Sequence, residues 1–176
     1  MYDHQILPSK IFHDERGSLQ KIFWAECGTP INFVNINEVF VTTSNKGSVR
    51  GLHFQIPPNA VNKMVTVIQG SVLEFIVDLR VGSNDYGVLK QIELDSSDPN
   101  KASGIFIPAG FAHGYQALEE STKVLYLMDG EFSQLCDSGI NFNSFDINWP
   151  IKQTILSSRD QGLVNLKNFE SPFSYE

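Results

Sequence analysis

Leu73-Glu74-Phe75-Ile76-Val77-Asp78-Leu79-Arg80 decides the fold class. Leu73, Phe75, Val77 and Leu79 fall on one face. Glu74, Asp78 and Arg80 fall on the other, with Ile76 as the exception. A period of two is the pattern of a half-buried strand. Upstream, Val65 and Val67 followed by Gly70-Ser71 predict another strand that enters this one through a tight turn. Downstream, Ile92 and Leu94 alternate with Gln91, Glu93 and Asp95, and two further strands are expected at Ile105-Phe106-Ile107 and Val124-Leu125-Tyr126-Leu127-Met128. Gly47, Pro57-Pro58, Gly70, Gly82, Gly87, Pro108, Gly110, Gly130 and Gly139 punctuate the chain. Short strands about ten residues apart predict a β-sandwich or barrel. Helical signal is confined to about Leu19–Glu26 and the region after Ser157. The expected architecture is one all-β domain over residues 1–176, closed or jelly-roll so that its edges are protected.

Composition agrees and removes several function classes. At 176 residues the chain is about one domain by the rough measure of ~150 residues each. With 13 Lys and Arg against 20 Asp and Glu the net charge is -7, which argues against a nucleic-acid binder. It leaves room for an anionic small ligand held by a few basic groups in one pocket. No apolar run approaches the ~18 residues of a membrane span. The opening MYDHQILPSKIF lacks a basic segment followed by an apolar one, so no secretory signal is expected. Cys27 and Cys136 make no disulfide framework, and a reducing cytoplasm is the expected compartment.

Two segments carry polar groups where a packed strand would bury apolar ones, and a third adds an ammonium. In Arg50-Gly51-Leu52-His53-Phe54-Gln55, His53 and Gln55 share a face. In Pro108-Ala109-Gly110-Phe111-Ala112-His113-Gly114-Tyr115, His113 and Tyr115 do. Lys63 shares a face with Val65 and Val67. Each histidine alone also fits a hydrogen-bonded structural side chain. Two His, a Lys, an Arg and a Gln beside glycine-bearing turns fit a wet pocket inside a barrel better. Such a set suits proton transfer beside a carbonyl. His is a base near neutral pH, a Lys ammonium steadies an enolate oxygen, and a Tyr hydroxyl can return a proton from the other face. Spacing alone leaves open whether Tyr115 or Tyr126 takes that last role.

Gly47 with His53, and Pro108-x-Gly110-x-x-His113, resemble the two motifs of the cupin superfamily. Most cupins hold a metal at these positions. Here Gln55 stands where a second His would follow His53, and the next glutamate is Glu74. No catalytic metal and no cofactor is therefore expected. His4 and His13 are expected at the surface.

A closer resemblance spans about residues 7–160. Arg50-Gly51-Leu52-His53-Phe54-Gln55 with Lys63 resembles the signature of dTDP-4-dehydrorhamnose 3,5-epimerases. Phe12-His13-Asp14-Glu15-Arg16-Gly17 resembles the family's F-x-D-x-R-G, and Val77-Asp78-Leu79-Arg80 with Ser83-Asn84-Asp85-Tyr86-Gly87 resembles its V-D-x-R and S-x-x-Y/F-G. Ile107 to Gly114 resembles its I-P-x-G-F-A-H-G. Ile147-Asn148-Trp149-Pro150 and Leu156-Ser157-Ser158-Arg159-Asp160 resemble its I-D-W-P and L-S-x-x-D.

The resemblance implies a cupin jelly roll with short peripheral helices, a homodimer, and metal-free epimerisation of a nucleotide-linked 4-keto-6-deoxyhexose at C3, C5 or both. It implies His53 as base, Asp160 as its partner, Tyr126 as acid and Lys63 near the C4 oxygen. Arg16 and Arg50 match sugar and diphosphate contacts, with Gln55 and His113 beside them. Read from the residues alone, Ser157-x-x-Asp160 is also a helix-capping pattern. Three positions depart from the family. Phe132 replaces a Tyr that stacks on the base, Lys21 replaces a Glu and Glu38 replaces a Gln. They leave the nucleotide open between dTDP, CDP and GDP. Two rival readings are a nucleotide-sugar-binding cupin without turnover and a 3,4-ketoisomerase. A nucleotide diphosphate must find local positive charge in an acidic protein, so Arg16, Arg50 and Lys63, with Lys21 as a further candidate, are expected to gather in one pocket.

Overall fold

In the computed structural model, residues 3–22 and 36–175 are described. Cys27 and the Phe23–Glu26 part of the first helical segment lie outside them. The strands are β1 (Gln5–Pro8), β2 (Ile11–Asp14), β3 (Gly17–Gln20), β4 (Glu38–Ser44), β5 (Val49–Gln55), β6 (Lys63–Gln69) and β7 (Ser71–Asp78). They continue with β8 (Arg80–Val81), β9 (Leu89–Asp95), β10 (Ala102–Ile107), β11 (Phe111–Ala117), β12 (Thr122–Met128), β13 (Asp137–Gly139) and β14 (Phe173–Ser174). One four-residue helix, α1 (Ser158–Gln161), follows Ser157 as expected. Leu19 and Gln20 belong to β3 and not to a helix. They pair with Phe12 and Ile11 of β2, so hairpin pairing overrides a weak helical pattern.

Ten strands form one curled sheet in the order β13-β5-β11-β7-β9-β10-β6-β12-β4, with β1 added beside β10. β9 and β10 meet through a single parallel pairing, Ala102 with Leu94. That pairing divides the sheet into two halves. Val72, Ile76, Leu94, Phe111 and Tyr115 from one half pack with Val65, Val67, Ile105, Ile107, Val124 and Tyr126 from the other, so the halves face each other as in a jelly roll. The all-β, cupin-type architecture expected from the sequence is the one observed.

The strand that announced the fold is buried on both faces. Phe75, Val77 and Leu79 point away from the barrel interior into a second cluster with Val49, Leu52, Phe54, Ile140, Phe142 and Phe173. The C-terminal segment, with Phe142, Trp149 and Phe173, covers that face. Phe75 meets Phe142 and Trp149 edge-on at 5.4 and 5.2 Å between centroids. The polar face of β7 looks inward instead, where Glu74 has no exposure at all. The half-buried reading fails because a covering segment hides the apolar face and the barrel has a polar lumen. His4 also departs from expectation: it is half-buried, its ring 5.7 Å from that of Phe111, whereas His13 is exposed.

Candidate active site

A cavity of about 370 Å³ opens at one end of the barrel. β5 brings Arg50, His53 and Gln55 to it, β6 brings Lys63, β11 brings His113, and β12 brings Tyr126 and Met128. The edge strand β4 adds Phe40 and Thr42, and the 129–139 segment adds Phe132 and Asp137. β5 reaches its place because two glycines let it press on β11. A Cβ on Gly51, whose φ is +120°, would lie 2.6 Å from Gly114 Cα. No other residue fits such an approach.

His53 is the half-exposed base candidate. Its Nε2 lies 2.7 Å from Asp160 Oδ1. Asp160 is buried, and its second oxygen accepts the Gly51 N–H at 3.2 Å. Both sequence readings of this aspartate hold together. The Ser157 hydroxyl accepts the Asp160 N–H at 3.1 Å as the helix cap, and that cap aims the carboxylate at His53. Burial opposes ionisation of Asp160, but the His53 ring, the Gly51 N–H and the Arg159 guanidinium together hold its carboxyl below the usual carboxylate range.

A second buried chain runs behind the cavity. Glu74 Oε1 lies 2.9 Å from His113 Nδ1, and His113 Nε2 lies 3.3 Å from Lys63 Nζ. A Lys63 ammonium donates to Nε2, which puts the ring proton on Nδ1 against Glu74. Burial pulls the Lys63 ammonium down to about 8. Burial also pushes the Glu74 carboxyl well up and, with Lys63 and His53 beside it, the His113 imidazole well down. The second oxygen of Glu74, Oε2, has no hydrogen-bond partner among the described residues.

The two tyrosines separate cleanly. Tyr115 is fully buried, its hydroxyl tied to those of Thr42 and Ser44, each at 2.9 Å. Tyr126 lines the cavity. Burial first, with Tyr115 and Glu74 nearby, pushes its hydroxyl well above the ordinary value, so it keeps its proton at neutral pH.

The remaining expected residues divide into three groups. Arg50 lines the cavity, its Nε donating to Ser44 Oγ at 3.0 Å. Gln55 spends its amide on the chain: Nε2 donates to the Asn59 and Glu131 carbonyls at 2.9 and 3.2 Å, and Oε1 accepts the Ser133 N–H. It therefore braces the loop carrying Phe132. Glu38 accepts the Phe132 N–H at 2.7 Å, so two of the three departures from the family pattern touch each other. Arg16 and Lys21 lie elsewhere. They line a groove on the β2–β3 hairpin with Phe12, Asp14, Gly17, Ser18 and Leu19, and Arg16 pairs with Asp14. The gathering of four cations in one pocket is thus not found within one chain. Arg50 and Lys63 both line the cavity; Arg16 and Lys21 are carried off on a hairpin whose strands, among the described residues, pair only with each other.

Three participants escaped the sequence reading. Arg159 donates from Nη1 to His53 Nε2 and from Nη2 to Asp137 Oδ2, both at 2.5 Å. It sat unremarked inside the quoted L-S-x-x-D segment. Asp137 carried no motif signal. Glu74 looked like one more residue of a solvent face.

Known proteins resemble this chain along most of its length. Residues 1–168 match the family model of dTDP-4-dehydrorhamnose 3,5-epimerase. The protein of that name from Shigella flexneri is 34% identical over 165 residues, 90% of this chain and 88% of its own. A dTDP-4-dehydrorhamnose 3-epimerase from Streptomyces niveus is 32% identical over 79% of this chain and 65% of its own. The crystal structure of the Bacillus anthracis 3,5-epimerase, with TDP and PPi bound, superposes with a TM-score of 0.82 at 32% identity, covering 93% of this chain and 94% of that one. The chain belongs to the dTDP-4-dehydrorhamnose 3,5-epimerase family of nucleotide-sugar epimerases.

Proposed function

We propose that this chain epimerises a nucleoside-diphosphate-linked 4-keto-6-deoxyhexose by stepwise proton transfer, at C3, at C5 or at both. The observation that carries the reading is the hydrogen-bonded His53–Asp160 pair in a cavity that Lys63 and Tyr126 also line. His53 takes the proton α to the C4 ketone. The electron pair moves onto the C4 oxygen, where the Lys63 ammonium meets the developing charge. Tyr126 gives a proton to the opposite face of the carbon and inverts it. Asp160 orients the ring and stabilises the imidazolium. Solvent then resets the imidazolium and the tyrosinate. His113, with both nitrogens engaged by Glu74 and Lys63, holds Lys63 in place. Arg50 and Arg159 supply planar cations for the diphosphate.

Inversion at C3 alone is the narrower form of this reading, and a relative named a 3-epimerase supports keeping it. Arg16 and Lys21 reach a ligand if the working unit is a homodimer in which each hairpin covers the partner copy's cavity. Exposed apolar side chains support this arrangement: Phe12 and Leu19 on the hairpin, and Val39 and Val41 on β4, the end of the large sheet among the described residues.

The test is a panel of dTDP-, CDP- and GDP-linked 4-keto-6-deoxyglucose, each followed by NMR of the sugar ring. Inverted C3 or C5 in one member supports the reading. A carbonyl moved from C4 to C3 selects the ketoisomerase. Tight nucleotide binding with no change at either carbon selects the binding protein.

A further inference from the structure

Tyr126 and Phe40 face each other directly across the antiparallel pair of β12 and β4. Their rings stack, with centroids 4.6 Å apart and planes 9° from parallel. The Tyr126 ring also lies 6.0 Å from the His113 imidazole, tilted by 54°. His113 is itself fixed between Glu74 and Lys63. Tyr126 is therefore stacked on one phenyl ring and packed near one imidazole. Thr42, two residues beyond Phe40 on the same strand, lines the cavity as well. One end strand thus supplies both a flat wall and a polar side chain near a single hydroxyl.

Phe40 is 36% exposed, on a strand that, among the described residues, has a neighbour on one side only. Such a place usually carries a polar or charged residue, because an apolar end strand invites unwanted pairing. An aromatic residue that lines the cavity and stacks on the acid candidate has a reason to be there that folding does not supply.

We propose that Phe40 is a positioning residue that holds the Tyr126 hydroxyl at the face opposite His53 and so decides how often an enolate is inverted. The inference rests on the reading of Tyr126 as the proton donor. Once His53 has taken the proton, the enolate has two fates. His53, after exchange with solvent, returns a hydron to the same face and regenerates the starting sugar. Alternatively Tyr126 gives its proton to the other face, the carbon–oxygen electron pair collapses back to the ketone, and tyrosinate recovers a proton from solvent. A tyrosine has two side-chain torsions. With Phe40 stacked on one ring face, its hydroxyl stays in line with the carbon. Without Phe40 that face is free, the ring swings, and return from the His53 side gains.

The experiment is turnover in D₂O. It measures deuterium in recovered, uninverted substrate against deuterium in inverted product. In Phe40→Ala the ratio of exchange to inversion rises about tenfold, the scale of one stacked aromatic pair, while KM changes little. Phe40→Leu, which keeps apolar bulk without a flat face, shifts the ratio the same way. Phe40→Tyr and Phe40→Trp keep it within about twofold of the parent, since both preserve a stacking face. An equal fall of exchange and inversion in Phe40→Ala and Phe40→Leu, at an unchanged ratio, makes Phe40 merely structural and overturns the proposal. If Phe40→Ala does not fold, Phe40→Leu against Phe40→Trp decides by the same ratio. Tyr126→Phe is the reference. It should exchange without inverting; inversion at the parental rate overturns the donor reading and this inference with it. Exchange without inversion in Tyr126→Phe, beside an unmoved ratio in the Phe40 variants, overturns this inference alone.

Discussion

Nε2 of His53 and Oδ1 of Asp160 lie 2.7 Å apart although 107 residues separate them in sequence. The first sits mid-strand at the floor of a cavity. The second sits on a helix of only four residues whose cap, Ser157, turns its carboxylate inward. A buried carboxylate beside a half-exposed imidazole fixes the tautomer and favours the cation that proton abstraction makes.

Asp160→Asn tests that pairing. The amide keeps the shape and loses the charge. The turnover number should fall about 10²–10⁴-fold with KM nearly unchanged, the scale seen when a histidine base loses its carboxylate partner. Steady-state kinetics beside circular dichroism checks this. The wild-type carboxyl is held low by the fold, so its contribution to stability is present above the ordinary carboxylate range and lost as pH falls through the depressed value. Acid unfolding of the variant should lack that component.

In the proposed mechanism Lys63 sets an alkaline limit. Its ammonium must be protonated to meet the enolate oxygen, and burial lowers its pKa to about 8. Turnover should therefore fall as pH rises through about 8. In Lys63→Arg, where the cation does not titrate in this range, the limb should vanish from the pH profile at a lower plateau rate.

Arg159 competes with Asp160 for one nitrogen. His53 Nε2 cannot accept from a guanidinium and donate to a carboxylate at once, yet both stand within 2.7 Å of it. Under the proposed function a bound diphosphate gives Arg159 a better partner and relieves the competition. Arg159→Ala should raise KM about tenfold to a hundredfold, in line with the loss of one or two charge-assisted hydrogen bonds. Arg159→Lys should recover part of that loss.

Gly114→Ala tests the close approach of β5 to β11. A Cβ there would collide with the Arg50 carbonyl oxygen and lie 2.8 Å from Gly51 Cα. Destabilisation of about 1–3 kcal/mol is expected in urea unfolding, with lower activity because His53 follows Gly51 by two residues.

Much of the fold was legible because its strands repeat with a period of two and turn at glycines. Five of the strands were read directly, and β5 and β11 were singled out by their polar faces. The errors share one cause. Period-two patterning tells which residues lie together but not which face meets water. Glu74 was therefore read outward, when the lumen of this barrel is the polar side and the C-terminal segment hides the other. His53, Lys63 and His113 announced themselves as ionisable groups within apolar strands. Asp160 and Tyr126 needed the family resemblance, since each has an ordinary structural reading. Arg159, Asp137 and Phe40 enter through contacts made across about 20 to 100 residues, which no local pattern encodes. Arg16 and Lys21 mark the other limit: their places in the family pattern say nothing of where the hairpin sits, and within one chain they lie apart from the cavity.

The most direct measurement of the central claim is solvent-deuterium incorporation at C3 and C5 of the 4-keto sugar that the enzyme turns over, compared between wild type and His53→Ala. Wild type should place deuterium at every carbon it inverts, and His53→Ala should place none above the rate without enzyme while still binding the nucleotide. Undiminished incorporation in His53→Ala would contradict the account, because proton abstraction would then belong to another group.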